Sequence, residues 1–188
     1  MKKLLPDIIA ILAFVVISFV YFFPADSAAG AGAGRDAQEY FERTGERSRW
    51  TNSIFGGMPT YQMAPSYDST KSLSWVEKTY QLYLPEYVVL TFIMMLGFYI
   101  LLRAFGISAW LAGVGGIIWA FSSYFFILIP AGHIWKFVTL AYIPPTIAGI
   151  VLAYRRKYLL GGIITALFIA LQIRSNHIQM SYYFMFVI

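Results

Sequence analysis

The sequence contains no cysteine and few charged residues. Because none of its 188 residues is cysteine, the chain has no disulfide framework, no thiolate nucleophile and no cysteine-ligated metal. Charged residues make up 12% of the chain, about half of the roughly 25% that is usual in a soluble domain. This scarcity argues against a disordered chain, a nucleic-acid-binding module and an ordinary cytosolic enzyme.

Hydrophobic residues, by contrast, account for 59% of the chain and aromatic residues for 19%. Segments of about 20 apolar residues are long enough to cross a bilayer as helices. We therefore predict an all-α, polytopic transmembrane helical bundle with five spans plus a truncated sixth. The predicted spans are about 4–23, 86–103, 108–129, 137–154, 158–173 and 178–188. Because the chain stops inside the sixth, we expect residues 1–188 to be the N-terminal part of a single, longer transmembrane domain.

The first apolar segment has two interpretations. Small residues follow Pro24, as they would after a cleaved signal peptide. The apolar core at 4–23 is long for such a peptide, so an uncleaved first span is favoured. A polar segment at 25–85 follows it, and this segment is predicted to be a long, partly helical extracytoplasmic loop.

The charges are unevenly distributed. Residues 25–86 hold eight of the nine acids and have a net charge of −2, whereas the rest of the chain has a net charge of +7. Basic residues at alternate span ends mark the cytoplasmic side of a membrane protein. This rule places the N-terminus in the cytoplasm, and the polar loops near His133 and Arg174 outside. The cytoplasmic clusters would be Lys2, Lys3, Arg103, Arg155, Arg156 and Lys157.

The first loop carries a carboxylate with two possible roles. Asp36 follows a Gly-Ala stretch at 28–34, which is typical of a flexible segment rather than a phosphate-binding loop. With Glu39 three residues later, Asp36 could form a capping box at a helix start. It could also be a catalytic carboxylate held near the membrane surface, and the two roles are compatible.

The run at residues 49–62 is the most distinctive in the loop. Gly56, Gly57 and Pro59 predict a turn, surrounded by aromatic residues that suit a membrane interface. The run could be a surface loop packed on the spans. It could instead form one wall of a lipid-substrate cleft, with Asn52 and Gln62 as hydrogen-bond donors.

Further candidate residues lie in the two later loops. His133 and Lys136, in the predicted loop 130–136, could anchor the interface or bind a phosphate as a cationic pair. Arg174, Asn176 and His177 follow the short fifth span, where an arginine is costly unless it is paired or hydrated. Pro144 and Pro145 interrupt the fourth span, as a kink or to widen a cavity. Two histidines without ligand spacing do not indicate zinc.

The order of these features resembles the YfhO-like bacterial membrane proteins, especially their Bacteroidetes-type members. The resemblance covers almost the whole chain and rests on Asp36, residues 50–59 (WTNSIFGGMP), Gly132-His133 with Lys136, residues 176–179 (NHIQ) and Tyr182-Tyr183. That family belongs to the GT-C superfamily of glycosyltransferases. The resemblance implies a GT-C-like fold in the bacterial cytoplasmic (inner) membrane.

The resemblance also implies an activity: transfer of a sugar from a polyprenyl-phosphate donor to a cell-envelope glycopolymer or glycoprotein acceptor on the extracytoplasmic face. Asp36 matches the family's catalytic base, while Lys136, Arg174 and the histidines would stabilise the departing phosphate. No cofactor is predicted. A divalent metal held by Asp36 with Glu39 is a weak alternative, because no clear second acid lies beside Asp36.

Two other classes of function stay open. One is a lipid or polymer transporter or flippase, and the other is a non-catalytic membrane scaffold for surface-polymer assembly. Ion-coupled transport would place functional charges near the bilayer midplane. The predicted spans contain only two acids, Asp7 and Glu86, and both lie near a span end, which argues against that mechanism.

Overall fold

A computed structural model describes residues 4–22, 35–46, 48–52, 56–60, 72–129, 131, 133–175 and 177–186. The chain forms two compact units. We call Met1–Asp26 together with Leu73–Ile188 the helical unit, and Ser27–Ser72 the loop unit.

The described residues are mostly helical. In chain order the elements are α1 (Leu5–Phe22), α2 (Arg35–Thr44), β1 (Trp50–Thr51), β2 (Met58–Pro59), α3 (Ser74–Tyr80), α4 (Glu86–Ala104), α5 (Ala109–Ala120), α6 (Ser123–Leu128), α7 (Ile134–Tyr154), α8 (Tyr158–Arg174) and α9 (Ile178–Met185). The helical prediction is confirmed, and helix α2 and strands β1 and β2 form the loop unit.

Three helices in the described part of the chain are long and apolar enough to cross a membrane, namely α1, α4 and α7. The predicted third span is instead divided into α5 and α6, with the break at Phe121 and Ser122. Helix α8 has 17 residues, slightly fewer than a typical span. Helix α7 begins at Ile134, three residues before the predicted start, so Lys136 lies in its first turn and not in the predicted loop.

Helix α1 packs on the bundle along a single face. Its buried residues are Ala10, Phe14, Ser18 and Phe22, which recur every four positions and so lie on one side of a helix. The opposite side is apolar and exposed, with Val20 at 75%. Lipid tails can solvate such a surface where water cannot, so this pattern is typical of a helix at the edge of a membrane bundle.

Glycines bring the long helices close together. A Cβ added to Gly116 of α5 would lie 2.8 Å from the Met95 carbonyl oxygen of α4, and one on Gly161 of α8 would lie 2.5 Å from the Gly149 carbonyl oxygen of α7. Small residues at helix contacts allow this close backbone approach, which is how membrane helices gain van der Waals packing.

An ion pair links the first span to α4. The Arg103 Nε lies 2.9 Å from Asp7 Oδ1, and the Tyr99 hydroxyl donates to the same oxygen. The acid near the start of α1 is therefore neutralised by residues of α4, and it fixes the register of the two helices.

Candidate functional site

Asp36 anchors the loop unit. It lies in the first turn of α2, where its Oδ1 accepts a hydrogen bond from the Thr51 hydroxyl and its Oδ2 accepts one from the Asn52 backbone N–H at 2.6 Å. Thr51 is fully buried. The carboxylate therefore ties α2 to β1, across 15 or 16 residues of sequence.

The glycine-rich run forms a turn closed by Trp50. Strands β1 and β2 pair antiparallel, with Trp50 opposite Pro59. Gly57 has a φ of +120°, and a Cβ at this position would lie 2.8 Å from the Trp50 indole. The indole Nε1 donates to Asn52 Oδ1 at 3.1 Å. The turn predicted at Gly56 and Gly57 is confirmed. The side-chain oxygen of Asn52 fixes the position of the Trp50 ring by accepting this hydrogen bond.

Arg174 is paired, as the sequence required of a guanidinium at the edge of a span. Its Nε lies 2.6 Å from Glu77 Oε2, and the two side chains are 24% and 14% exposed. The buried Tyr142 hydroxyl donates to Glu77 Oε1 at 2.9 Å and accepts from Gln81 Nε2 at 3.2 Å. We call Glu77, Gln81, Tyr142 and Arg174 the Glu77 cluster; it joins α3, α7 and α8.

Two further polar contacts align α7 with α8. The hydroxyls of Thr139 and Ser175 lie 2.5 Å apart, and Gln172 Nε2 donates to Thr146 Oγ1 at 2.7 Å. All four side chains are buried. Because each buried polar group has a partner, their desolvation is compensated, and the pairing sets the register that brings the start of α7 beside the end of α8.

The basic side chains where the start of α7 lies beside the end of α8 interact electrostatically. His177 precedes α9, and its Nδ1 accepts a hydrogen bond from the Met180 N–H at 3.4 Å. Burial lowers the pKa of His177, a backbone hydrogen bond partly opposes this, and the proximity of Lys136 and His133 lowers it further. The Lys136 ammonium lies 5.5 Å from the centre of the Tyr124 ring, which is within the range of a cation–π contact.

The structure thus divides the predicted site residues into two groups. His133, Lys136, Arg174 and His177 lie at one end of the helical unit. Asp36 and Asn52 lie in the loop unit. Gln62 and Asn176 were also predicted as substrate-binding residues, and they lie outside the described residues.

Three important side chains were missed by the sequence reasoning: Glu77, Tyr142 and Thr51. Glu77 pairs with a residue 97 positions away, so no local spacing reveals it. The signal that could have found it is Arg174 itself. A guanidinium beside an apolar span carries a desolvation penalty unless an acid elsewhere in the chain pairs with it. In the described segments, no three His, Asp or Glu side chains gather as a metal site.

The comparisons with known proteins return nothing. No protein-family model matches the chain, and neither a curated protein nor a solved structure is significantly similar to it.

Proposed function

We propose that this membrane protein is a GT-C-type glycosyltransferase of the YfhO-like family, acting on a polyprenyl-phosphate-linked sugar. The observation that carries the proposal is the gathering of His133, Lys136 and His177 at one end of a bundle of apolar helices. A lipid phosphate carries its negative charge at the level of helix ends, with its chain among the helices. The Lys136 ammonium at that level, with the two imidazoles beside it, would bind and orient such a headgroup.

The proposed reaction is a displacement at the anomeric carbon. The acceptor hydroxyl oxygen forms a bond to that carbon, and the bond from the carbon to the phosphate oxygen breaks with its electron pair leaving on the phosphate. Asp36 takes the hydroxyl proton as general base. The bonds from Thr51 and Asn52 fix the position of the carboxylate for this step.

The departing phosphate gains negative charge as the bond breaks. Lys136, assisted by His133, would stabilise this charge electrostatically. Arg174 is already charge-paired with Glu77, so we assign it a smaller share than an unpaired guanidinium would have. His177, whose pKa is lowered, would act as a neutral hydrogen-bonding group at neutral pH.

The test is sugar transfer by the intact protein in membranes, supplied with radiolabelled polyprenyl-phosphate sugars. Asp36→Asn is expected to lower kcat about 10²- to 10⁴-fold, the usual worth of a general base. Glu46→Gln, which alters an exposed acid of the same unit, is expected to leave transfer unchanged.

A second variant separates catalysis from structure, because Asp36 also anchors β1. Thr51→Val removes the hydroxyl that donates to Asp36 but keeps the carboxylate. If Thr51→Val lowers kcat as much as Asp36→Asn, Asp36 acts only through the fold. Absence of transfer by the unaltered protein with every such donor would overturn the enzyme proposal and favour transport or scaffolding.

A further inference from the structure

Two turns lie side by side at the end of the helical unit that carries the C-terminus of α4 and the C-terminus of α7. The Arg155 Nη2 donates to the Phe105 carbonyl oxygen at 3.0 Å. A Cβ on Gly106 would lie 3.2 Å from Arg155 Nη1. The turn between α4 and α5 and the turn between α7 and α8 therefore form one surface. We call Phe105, Gly106, Arg155, Arg156 and Lys157 the turn surface.

Helix α4 ends with the usual residue for its geometry. The Gly106 N–H donates to the Arg103 carbonyl at 2.9 Å, and the Ile107 N–H donates to the Leu102 carbonyl at 3.1 Å. This pair of bonds is the Schellman motif, which needs a left-handed residue and favours glycine. Gly106 has a φ of +80°, so α4 satisfies the requirement without strain.

Helix α7 ends with the same motif but places a cation at the strained position. The Arg156 N–H donates to the Ala153 carbonyl at 2.9 Å, and the Lys157 N–H donates to the Leu152 carbonyl at 3.0 Å. Arg156 has a φ of +65°. A side chain there costs about 1–2 kcal/mol relative to glycine, so the arginine opposes the local backbone preference.

Lys157 also stands at a position that favours another residue type. It is the N-cap of α8, and its side chain makes no capping hydrogen bond. Serine, threonine, aspartate or asparagine would cap the helix, and a positive charge is unfavourable beside the N-terminal end of the helix dipole. The N-cap residue therefore provides no side-chain acceptor for the first N–H groups of α8. These N–H groups lie next to the positive charges of the turn surface.

No acid within the described residues balances these cations. Arg155, Arg156 and Lys157 are exposed and take part in none of the ion pairs there. The nearby acid Asp7 is occupied by Arg103. Exposed aromatic rings flank the surface, with Tyr154 at 88% and Tyr158 at 70%, as is common where a membrane protein meets lipid headgroups.

We propose that the turn surface binds the phosphate headgroup of an anionic phospholipid. Arg155 follows α7 and donates a hydrogen bond to the turn after α4. Arg156 and Lys157 add positive charge at positions where they lower local stability. The N-terminus of α8 offers N–H donors to an anion. An anionic headgroup would satisfy all of these groups together. This proposal is independent of the activity proposed for the opposite end of α7.

The test is thermal unfolding of the purified protein in a neutral detergent, titrated with phosphatidylglycerol, with phosphatidylcholine or with inorganic phosphate. Phosphatidylglycerol is expected to raise the Tm, and the other two are expected to leave it unchanged. Arg156→Gly is expected to raise or retain the Tm without lipid, because strain is relieved, and to weaken the apparent lipid affinity about fivefold, since one basic residue is worth about 1 kcal/mol at an anionic surface.

Lys157→Asn is a second test variant, and Lys78→Gln is the matched control. Lys157→Asn supplies a better cap for α8 and removes a charge, so it is expected to behave like Arg156→Gly. Lys78→Gln removes an exposed charge from α3 and is expected to retain the full lipid response. An unchanged lipid response in Arg156→Gly and Lys157→Asn would overturn the proposal, as would an equal Tm rise with phosphatidylcholine or with inorganic phosphate.

Discussion

Glu77 connects three helices through one carboxylate. It projects from α3 and accepts from Tyr142 of α7 at 2.9 Å and from Arg174 of α8 at 2.6 Å. A partly buried guanidinium without an acid would carry a large desolvation penalty. Glu77 removes that penalty and at the same time fixes α3 against the ends of two longer helices.

We expect Glu77→Gln to lower the free energy of unfolding by about 1–3 kcal/mol, because hydrogen bonds to charged groups are the stronger ones and Arg174 would lose its counter-charge. Tyr142→Phe removes the hydroxyl that donates to Glu77 and accepts from Gln81 without altering charge, and it is expected to cost about 1–2 kcal/mol. Denaturant-induced unfolding in mixed micelles measures both. A Tyr142→Phe loss equal to that of Glu77→Gln would show that the ion pair contributes nothing beyond a neutral hydrogen bond.

His177 makes stability depend on pH. Burial lowers its pKa in the folded state below the ordinary histidine value of about 6.5, so the unfolded chain binds a proton more readily. Stability from the neutral side chain is therefore complete above about pH 6.5 and declines as the pH falls towards the folded-state pKa. Protonation would also remove the Nδ1 acceptor that caps α9.

We expect the Tm to fall between about pH 7 and pH 5, and His177→Asn to reduce that slope, because asparagine can cap α9 without titrating. His133→Gln, at the N-cap of α7, removes one of the minor contributions that lower the pKa of His177, so it is expected to reduce the slope less than His177→Asn does. Melting curves across this pH range decide the matter. Equal slopes in the unaltered protein and in His177→Asn would contradict a role for His177.

For individual residues, the sequence predicted which side chains matter better than it predicted which side chains they contact. Arg174 stood out because an arginine beside an apolar span is costly, and that condition is met by a pair. Its partner lies in α3 and was not predicted, since pairing across 97 positions depends on how helices pack. The hydrogen bond from Trp50 to Asn52 joins residues only two positions apart, and it was missed because Asn52 was assigned as a donor to a substrate.

Among the helices, Pro145 of α7 is accommodated by a glycine of α4. Pro145 has no N–H, so it leaves the Ala141 carbonyl without its usual helical donor. A Cβ on Gly97 would lie 2.5 Å from that carbonyl oxygen and 3.2 Å from Pro145 Cδ. The backbone of α4 therefore occupies the space beside the freed carbonyl, where a Cα–H contact can partly compensate it.

Gly97→Ala is therefore expected to lower the free energy of unfolding by about 1–3 kcal/mol through overpacking. Gly162→Ala is the matched control, because Gly162 lies in α8 with no atom within 4 Å of an added Cβ, and it is expected to gain about 0.5–1 kcal/mol from helix propensity. Unfolding in mixed micelles measures both changes. A neutral Gly97→Ala would mean that α4 and α7 can separate without cost.

Hydropathy predicted the elements where one apolar run makes one helix. It correctly indicated α1, α4, α7 and α8, with boundaries displaced by at most three residues. It missed the break between α5 and α6 at Phe121 and Ser122, because an aromatic residue and a serine do not interrupt an apolar window. It also missed the extension of α7 through Trp135 and Lys136, since a polar residue in the first turn of a helix resembles a loop.

For the whole molecule, the lack of cysteine and the placement of charge together allow a direct test of orientation. Helix α7 has 21 residues and would be about 30 Å long, close to the thickness of the hydrocarbon core. Trp135 at its start is 59% exposed, and Tyr154 at its end is 88% exposed. Because residues 1–188 contain no cysteine, a single substitution at either position introduces a thiol that no other residue of this segment supplies.

In intact cells expressing the protein, we expect Trp135→Cys to react with a membrane-impermeant maleimide, and Tyr154→Cys to react only after permeabilisation. The reason is that Arg155, Arg156 and Lys157 follow Tyr154 directly, and such basic clusters are retained in the cytoplasm. The two variants control for each other because they mark the ends of one helix. The reverse pattern would invert the predicted topology, whereas labelling of both in intact cells would show that α7 does not cross the membrane.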